Sequence, residues 1–474
     1  MNALWTAPEA ALATGGQVAP GANWTAQGVS IDTRAVAADD LFVALKGPRF
    51  DGHDFVAAAL DGGAAAAMVD HAPVNADPRR LLAVPDTQAG LESLARAARA
   101  RSSARIVAVT GSVGKTGAKE ALALALGRQG VTHASAGNLN NHIGLPLSLA
   151  RMPAAVRLGV FELGMNHAGE ISPLSRLLRP HVAIITTVEA VHLEHFPGVE
   201  AIADAKAEIF DGLEPGGTAI LNRDNPHFAR LANRARQVGV GQVWGFGVAP
   251  GAEARLISVS LDARGSHAEA TILGRPVRFR LKLLGRHHVT NALAVLLAVA
   301  ALGGDIDAAG AVLADLSPVK GRGVTFEIPV RGGHVRLIDE SYNASPVAVC
   351  AAISVLAMVE PPDGGRRLVV LGDMLELGEA EAAAHAALTE PLHRAGIHSV
   401  FTAGRLMRHL HDALPPEMRG GHAENAEALA PIVAAAVRAG DVVLVKGSAG
   451  SRMGSVVSSL RDGAQAIQES RIAV

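Results

Sequence analysis

An apolar run that leads directly into a glycine-rich loop and a helix is the feature that most limits how this chain can fold. Residues 105–110 read Arg-Ile-Val-Ala-Val-Thr, which is typical of a buried strand, and a helical pattern follows from about residue 117 to 128. Between them lies Gly-Ser-Val-Gly-Lys-Thr at 111–116. This order predicts a mostly parallel α/β sheet whose loop binds phosphate at the N-terminus of the next helix.

The residue types of this loop have separate tasks. Glycines let main-chain N–H groups turn toward phosphate oxygens, Lys115 reaches the β- and γ-phosphates, and the Thr116 hydroxyl binds Mg²⁺. The longer common pattern needs glycine where this chain has Val109, so the loop is a shortened form. The predicted nucleotide-binding residues of the loop are Gly111, Ser112, Val113, Gly114, Lys115 and Thr116.

Three sections follow one another along the 474 residues, a length too great for one compact core. We predict domains at 1–100, 101–316 and 317–474: a small α/β domain, a central doubly wound α/β domain with the phosphate loop, and a Rossmann-like α/β domain. Residues 254–281 instead alternate as antiparallel strands, and the Pro/Gly-rich segment 317–323 is a candidate hinge. The predicted helices are 89–104, 117–128 and 290–302.

Two further side chains are placed where parallel strands end, which is the edge that carries the site in such sheets. Glu162 closes the apolar run 158–162, and His192 follows the run 182–186. Both are candidate Mg²⁺ ligands. Each has an ordinary alternative, since a strand-end glutamate is often solvated and a loop histidine is often structural.

Lysine is rare in this chain, with 7 lysines among 43 basic residues. Lys206 lies in a helical stretch of small and apolar residues, where it is either a surface residue with a buried stem or a reactive amine. An amine can add CO₂ and become an anionic carbamate that binds metal, and arginine cannot do so.

Charge and cysteine content argue against several classes of protein. The formal net charge is −2 and no block of like charges is present, so we expect no nucleic-acid binding. Cys350 is the single cysteine, and neither a targeting segment nor a membrane-spanning run is visible, which predicts a cytoplasmic protein without membrane insertion.

Separated motifs in a fixed order resemble the Mur ligase family over nearly the whole chain. Besides the loop, they are Ser-Ile-Asp-Thr-Arg at 30–34, Leu-Phe-Val-Ala-Leu-Lys-Gly at 41–47, Asp-Gly-His-Asp-Phe at 51–55, Asn-Leu-Asn-Asn-His-Ile-Gly at 138–144, Glu-Leu-Gly-Met-Asn-His at 162–167, Asp-Ala-Lys-Ala-Glu-Ile-Phe at 204–210, Gly-Arg-His-His-Val-Thr-Asn-Ala at 285–292, Gly-Arg at 321–322, Asp-Glu-Ser-Tyr-Asn-Ala-Ser at 339–345, Gly-Asp-Met-Leu-Glu-Leu-Gly at 372–378 and Lys-Gly-Ser at 446–448.

The resemblance implies a monomeric, ATP-dependent amide ligase of peptidoglycan precursor synthesis. It would join D-alanyl-D-alanine to UDP-N-acetylmuramoyl-tripeptide through an acyl phosphate, with two Mg²⁺ ions, in the cytoplasm. The first domain would bind the UDP group. Implied catalytic residues are Lys115, Lys206, His192 and Glu162, and the metal ligands would be Thr116, Glu162, His192 and a carbamylated Lys206.

The same resemblance implies the remaining ligand contacts. Asn291, Arg322 and Asp339 would contact the nucleotide. Substrate-binding residues would be Ser30, Thr33, Arg34, Lys46, Asp51, His53, Asn138, Asn140, Asn141, Tyr342 and Asn343.

Two alternatives stay open at this point. A sister ligase that adds the third amino acid, or a folate polyglutamate synthetase, uses the same chemistry, but the former is expected to carry a DYAH-type segment where this chain has 339–343. A P-loop switch or transport ATPase would more often show the full-length loop and would not need the segments at 339 and 372.

Overall fold

The computed structural model of the chain describes residues 3–71, 76–262, 265–362 and 364–472. The first section forms a five-stranded sheet of order β2-β7-β6-β5-β4, parallel except for β2, together with the antiparallel pair β1-β3. Its elements are β1 (Trp5–Thr6), α1 (Ala7–Thr14), β2 (Gln17–Val18), β3 (Thr25–Ala26), β4 (Gly28–Ser30), β5 (Asp40–Val43), α2 (Val56–Asp61), β6 (Ala66–Val69), β7 (Leu81–Ala83) and α3 (Thr87–Arg101).

The middle section forms a nine-stranded sheet of order β16-β15-β14-β13-β12-β11-β8-β10-β9. Its elements are β8 (Arg105–Thr110), α4 (Lys115–Gly127), β9 (Thr132–Ala134), α5 (Gly144–Ala150), β10 (Leu158–Glu162), α6 (Ile171–Leu178), β11 (Val182–Ile185), α7 (Val199–Ala207), β12 (Thr218–Asn222), α8 (Phe228–Gln237), β13 (Gln242–Gly247), β14 (Ala254–Asp262), β15 (Gly265–Ile272), β16 (Arg275–Leu281), α9 (Arg286–Ala301) and α10 (Ile306–Val312).

The last section forms a six-stranded sheet of order β17-β18-β22-β19-β20-β21, in which only the β17-β18 pair is antiparallel. Its elements are β17 (Val324–Val330), β18 (Gly333–Glu340), α11 (Pro346–Met358), β19 (Arg367–Gly372), α12 (Glu381–Ala386), α13 (Thr389–Arg394), β20 (Ser399–Ala403), α14 (Met407–Ala413), β21 (Arg419–Ala423), α15 (Ala426–Ala436), β22 (Val442–Lys446) and α16 (Gly454–Ile472).

Strand β8 is an inner strand of the middle sheet, third from one edge, and it lies between β10 and β11, parallel to both. Helices cover both faces, since α4 and α9 pack in one apolar cluster and α6 and α7 in the other. Because the carboxyl ends of parallel strands share one edge, the loops after β8, β10 and β11 meet there. The doubly wound arrangement predicted from the sequence is confirmed, as is the antiparallel section, formed by β14, β15 and β16.

Three predicted helices are present, with boundaries that differ from the prediction. The helix predicted at 117–128 begins at Lys115, because Gly114 takes a left-handed N-cap conformation one residue earlier. The helix predicted at 89–104 is α3, which begins at Thr87 after the Asp86 carboxylate caps it and ends before Ser102. The helix predicted at 290–302 begins at Arg286. No helix in the described ranges is long and apolar enough to cross a membrane.

Helix α3 shows why a boundary at residue 100 stays a prediction. Its residues Leu91 and Leu94 share an apolar cluster with Leu41 of the first sheet and with Leu147 of α5. The helix therefore packs on both neighbouring sections.

Candidate active site

A cavity of about 1210 Å³ lies between the middle and last sheets. Its wall includes the loop after β8, the ends of β10 and β11, the start of α9 and several segments of the last section. The predicted site residues that line it are Ser112, Val113, Gly114, Lys115, Thr116, Asn138, Asn140, Glu162, His192, Asn291, Arg322, Tyr342 and Asn343.

The phosphate loop needs glycine at two positions. Gly114 has φ +85°, and a Cβ there would lie 2.6 Å from the Asn291 side-chain nitrogen. Gly111 has φ +150°, and a Cβ there would clash with the Thr186 side chain. Val109, where the longer pattern has glycine, is a fully buried residue of β8 paired with both neighbouring strands. The loop is short because the strand continues through residue 110.

Lys115 begins α4 and faces the cavity. Its amine donates a hydrogen bond to the Gly111 carbonyl at 2.8 Å. Burial lowers its pKa, the nearby Glu162 carboxylate opposes that shift, and Arg322 adds to it. A cationic side chain of the last section therefore approaches the phosphate loop of the middle section.

Glu162 is buried and both of its oxygens accept hydrogen bonds from neutral groups. Thr116 Oγ1 donates to Oε2 at 2.9 Å, and Asn140 Nδ2 donates to Oε1 at 2.7 Å. Within the described residues the carboxylate has no ion-pair partner. A hydroxyl and a carboxylate oxygen side by side suit Mg²⁺, and a buried negative charge without a cation fits such an ion.

His192 follows β11 and contacts the last section. Its Nδ1 hydrogen-bonds the Glu376 carboxylate, and the Glu194 N–H donates to the Glu376 carbonyl at 3.3 Å. The pKa of Glu376 is lowered, chiefly by the hydrogen bond with His192. Both His192 and Glu376 line the cavity.

Lys206 is buried in α7, with 2 % of its surface exposed. In the described ranges its amine makes no hydrogen bond or ion pair. Burial lowers its pKa well below the usual value, and the positive charge of Lys115 lowers it further. This shift favours the neutral amine relative to an exposed lysine, and the neutral amine is the form that reacts with CO₂. Lys206 does not itself line the cavity.

A second buried lysine, Lys119, links the phosphate loop to the next loop of the sheet. It lies one turn after Lys115 in α4 and donates to the carbonyls of Ser135 and Gly137 at 2.8 and 3.2 Å. Those carbonyls begin the segment that carries Asn138 and Asn140. The positions of the two loops therefore depend on one helix.

The last section contributes a cation and a braced loop. The Arg322 guanidinium stacks over the Tyr342 ring at 4.2 Å. Lys446, at the end of β22, donates to the Glu340 carboxylate at 3.1 Å and to the Asn343 carbonyl at 2.9 Å. These contacts fix the segment that follows β18 at the cavity wall.

The structure does not bring every predicted site residue to the cavity. Asp339 is buried beside it, and its carboxylate accepts from the N–H and hydroxyl of Ser341. Asn141 caps α5 by accepting from the Gly144 N–H at 2.8 Å. Among the described residues, the predicted ones that do not line the cavity are Gly111, Lys206, Asp339, Asn141, Ser30, Thr33, Arg34, Lys46, Asp51 and His53.

The predicted residues of the first section lie together at the carboxyl edge of their own sheet. Ser30 ends β4, and the segment 46–53 follows the neighbouring parallel strand β5. Arg34 pairs with Asp32, and His53 Nδ1 pairs with the Asp51 carboxylate at 2.6 Å. These polar residues of the first section do not line the cavity.

In the part of the chain that the structure describes, one group of three His and Asp side chains is close enough to share a metal ion: His53, Asp70 and His71. Both ring nitrogens of His53 are already engaged, one by the Asp51 carboxylate and one by the Asp70 N–H at 3.1 Å. This group therefore gives no metal site in the present arrangement.

Sequence reasoning assigned no role to Lys119, which does not line the cavity, or to the cavity-wall residues Lys446, Glu376 and Glu340. Lys446 and Lys119 belong to the small set of lysines, and that scarcity was a usable signal. Glu376 lies in the segment 372–378 that was identified as a motif, but no local pattern indicated its partner. Glu340 and Lys446 lie in the motifs at 339–345 and 446–448, but no local pattern indicated that they pair, because they are 106 residues apart.

Family models match most of the chain in three consecutive parts. Residues 25–99 match the Mur ligase family catalytic domain, 109–299 the Mur ligase middle domain, and 326–449 the Mur ligase glutamate ligase domain. The UDP-N-acetylmuramoyl-tripeptide–D-alanyl-D-alanine ligase of Escherichia coli is 38 % identical over 93 % of this chain and 95 % of its own length.

Solved structures agree with that match. A crystal structure of MurF from Acinetobacter baumannii has a TM-score of 0.83, 28 % identity, and coverage of 97 % of this chain and 99 % of the other. MurF ligase from Thermotoga maritima, in complex with ADP, has a TM-score of 0.77, 29 % identity, and coverage of 92 % and 98 %.

Proposed function

The chain belongs to the Mur ligase family, and we propose that it joins D-alanyl-D-alanine to UDP-N-acetylmuramoyl-tripeptide with ATP as the energy source. The product is the UDP-linked pentapeptide precursor of peptidoglycan, with ADP and phosphate released. The observation that carries the proposal is one cavity wall that combines the phosphate loop, Glu162 and His192 with Arg322 and Tyr342 of the last section.

The reaction proceeds in two steps. The terminal carboxylate of the tripeptide attacks the γ-phosphorus of ATP, which forms an acyl phosphate and releases ADP. The amine of D-alanyl-D-alanine then attacks the acyl carbon, loses a proton, and inorganic phosphate leaves.

The chain's own residues act mainly by positioning and by neutralising charge. Lys115 and the main-chain N–H groups of the loop face the phosphates, where charge moves during transfer. Asn140 donates to Glu162 and Asn138 lines the same cavity, and together with Asn141 they would help place the muramoyl peptide. Arg322 approaches Lys115 closely enough to add a second cation at the nucleotide.

Thr116, Glu162, His192 and a carbamylated Lys206 would hold two Mg²⁺ ions, which would neutralise charge on the transferring phosphoryl group. The donor set of Thr116 and Glu162 supports this assignment. The unpaired, buried amine of Lys206 supports the carbamate, because a neutral amine adds CO₂ and loses a proton.

The function is tested by measuring ADP release with UDP-N-acetylmuramoyl-tripeptide, with and without D-alanyl-D-alanine. We expect steady release only with the dipeptide and formation of the pentapeptide product. Release that ignores the dipeptide contradicts the proposal and favours a simple ATPase. Tripeptides ending in lysine or diaminopimelate, assayed in parallel, identify the third residue.

The carbamate has its own test. With ¹³C-bicarbonate, the protein is expected to give a carbamate carbon signal that is lost in Lys206→Ala. The variant is expected to be nearly inactive and to regain activity with short carboxylic acids that replace the missing carboxylate. A fully active Lys206→Ala variant rules the carbamate out.

Domains at 1–100, 101–316 and 317–474, hinged near 317–323, fit the three sheets. Ligands from all three sections have to converge during catalysis, so we expect closure about the hinge. Small-angle scattering checks this: compaction with nucleotide and tripeptide is expected, and unchanged dimensions contradict it. The same experiment gives the mass, for which we expect a monomer, and we assign the enzyme to the cytoplasm, where ATP and UDP-linked precursors are available.

A further inference from the structure

Two loops from different sheets meet at one point of the cavity wall. One follows β11 and carries His192 and Glu194, and the other follows β19 and carries Glu376 and Gly378. The Glu194 N–H donates to the Glu376 carbonyl at 3.3 Å, and His192 Nδ1 hydrogen-bonds the Glu376 carboxylate. A Cβ on Gly378 would lie 3.4 Å from the Glu194 Cα, so the two backbones are in close contact.

The two residues that meet here share an uncommon backbone conformation. His192 has φ +58° and Glu376 has φ +64°, and neither is glycine. Residues other than glycine occupy this region rarely, and they persist there when the surrounding structure holds them. Both loops therefore adopt a costly conformation at the position where their side chains join.

The loop that carries Glu376 is held firmly by its own domain. The Met374 N–H donates to Nε2 of His385 at 3.0 Å, and His385 is completely buried. The Leu375 N–H donates to the Ser448 hydroxyl at 3.0 Å. Two successive main-chain groups are thus tied to other elements immediately before Glu376, so its carboxylate has a defined position.

The contact also determines the protonation pattern of the imidazole. An ionised carboxylate only accepts hydrogen bonds, so Nδ1 of His192 carries the proton. Nε2 is then the nitrogen with a free lone pair, and within the described residues it has no hydrogen-bonding partner. Histidines that bind metals commonly donate their other ring N–H to a carboxylate, which fixes the tautomer and the ring orientation.

We propose that Glu376 is a positioning residue for His192. Its carboxylate, from the last section, fixes the tautomer and ring orientation of a metal ligand in the middle section. The proposal depends on the assignment of His192 as a metal ligand made above. It implies that metal binding and docking of the last section favour each other, because each stabilises the same arrangement of His192. The metal site would thus be complete only when the two sections are in contact.

The test compares Mn²⁺ binding, measured by electron paramagnetic resonance with ADP bound, in the unaltered enzyme, His192→Ala, Glu376→Gln and Glu379→Gln. Glu379 is the matched control, since it is an exposed acid three residues away with no hydrogen bond or ion pair in the described chain. For Glu376→Gln we expect the dissociation constant of the more weakly bound Mn²⁺ ion to rise at least about tenfold. For Glu379→Gln we expect no change in that constant. High Mg²⁺ concentration should restore the turnover of Glu376→Gln but not that of His192→Ala.

Other outcomes separate the two levels of the proposal. If His192→Ala weakens Mn²⁺ binding and Glu376→Gln does not, Glu376 has no positioning role. If neither variant changes Mn²⁺ binding, His192 is not a ligand and the metal assignment itself fails. If Glu376→Gln merely lowers the unfolding temperature with unchanged metal affinity, the contact is structural and the proposal is wrong.

Discussion

Two buried lysines, one in the middle section and one in the last, have opposite surroundings. Lys206 in α7 has no hydrogen-bonding or ionic partner in the described ranges and lies near the positive charge of Lys115. Lys446 at the end of β22 is equally buried but donates to the Glu340 carboxylate and the Asn343 carbonyl. A buried cation without a partner is unfavourable, whereas a paired one braces its neighbours. The middle section thus contains a buried amine without a partner, whereas in the last section the buried amine braces a segment of the cavity wall.

The largest effect is expected at the phosphate loop. Lys115→Ala should lower turnover about 10²- to 10³-fold, because one cationic donor at the transferring phosphoryl group is lost. Single-turnover ADP formation measures the effect, and Lys320→Ala, which removes an exposed lysine, serves as the control. Near-normal turnover of Lys115→Ala would show that Lys115 does not contribute to phosphoryl transfer.

A smaller effect is expected for the cation of the last section. Arg322→Ala should raise the KM for ATP about tenfold or more, equivalent to about 1.5–3 kcal/mol for a hydrogen bond to a charged group. Arg322→Lys keeps the charge but loses the flat contact with Tyr342, so it should recover only part of the affinity. A loss of turnover as large as that of Lys115→Ala, with unchanged KM for ATP, would contradict the assignment of Arg322 to ATP binding and of Lys115 to phosphoryl transfer.

Lys446→Met should act on stability more than on ATP use. The Asn343 carbonyl and the Glu340 carboxylate lose a donor, which should cost about 1–3 kcal/mol of unfolding free energy. Displacement of the segment after β18 should also raise the KM for D-alanyl-D-alanine, while the KM for ATP changes little. Denaturant unfolding and steady-state kinetics measure these effects, and an unchanged unfolding midpoint would show that Lys446 does not brace the wall.

The smallest effect is expected for Lys206→Met, whose unfolding temperature is compared with that of the unaltered protein at several pH values. The pKa of Lys206 is lowered on folding, so folding opposes its protonation. The resulting destabilisation is absent above the ordinary lysine pKa and develops as pH falls toward the folded-state pKa. In CO₂-free buffer, Lys206→Met should therefore unfold at a higher temperature than the unaltered protein at neutral pH. The difference should shrink as pH rises toward 10.5, and a difference independent of pH would refute this explanation.

Local patterns were enough to predict much of the central sheet. The apolar run 105–110 and the glycines at 111 and 114 identified β8 and the loop, because a buried strand and a phosphate loop each need specific residues in sequence order. The helix start at Lys115 was missed by about two residues, since the capping role of Gly114 depends on a left-handed backbone. Glu162 and His192 were predicted as site residues because strand ends share one edge of a parallel sheet, and both line the cavity.

Contacts between residues that are distant in the sequence, within one section or between two, were outside the reach of such patterns. The partner of His192 lies 184 residues away, and that of Lys446 lies 106 residues away. Nothing in either segment specifies how the last sheet docks on the middle one. The prediction that Asp339 contacts the nucleotide gave no indication that its carboxylate accepts hydrogen bonds from Ser341, a local contact that is visible only in three dimensions.

Helix α4 sets the spacing between the phosphate loop and the Asn138 segment. Lys115 at its start lines the cavity, and Lys119 one turn later holds the carbonyls that begin the Asn138 segment. Each residue of a helix adds about 100° of rotation and 1.5 Å of rise. A single residue inserted between the two lysines would turn Lys119 away from its carbonyls while leaving the phosphate loop before α4 unchanged. The tolerance of the chain to insertions should therefore be especially low in this one helical turn.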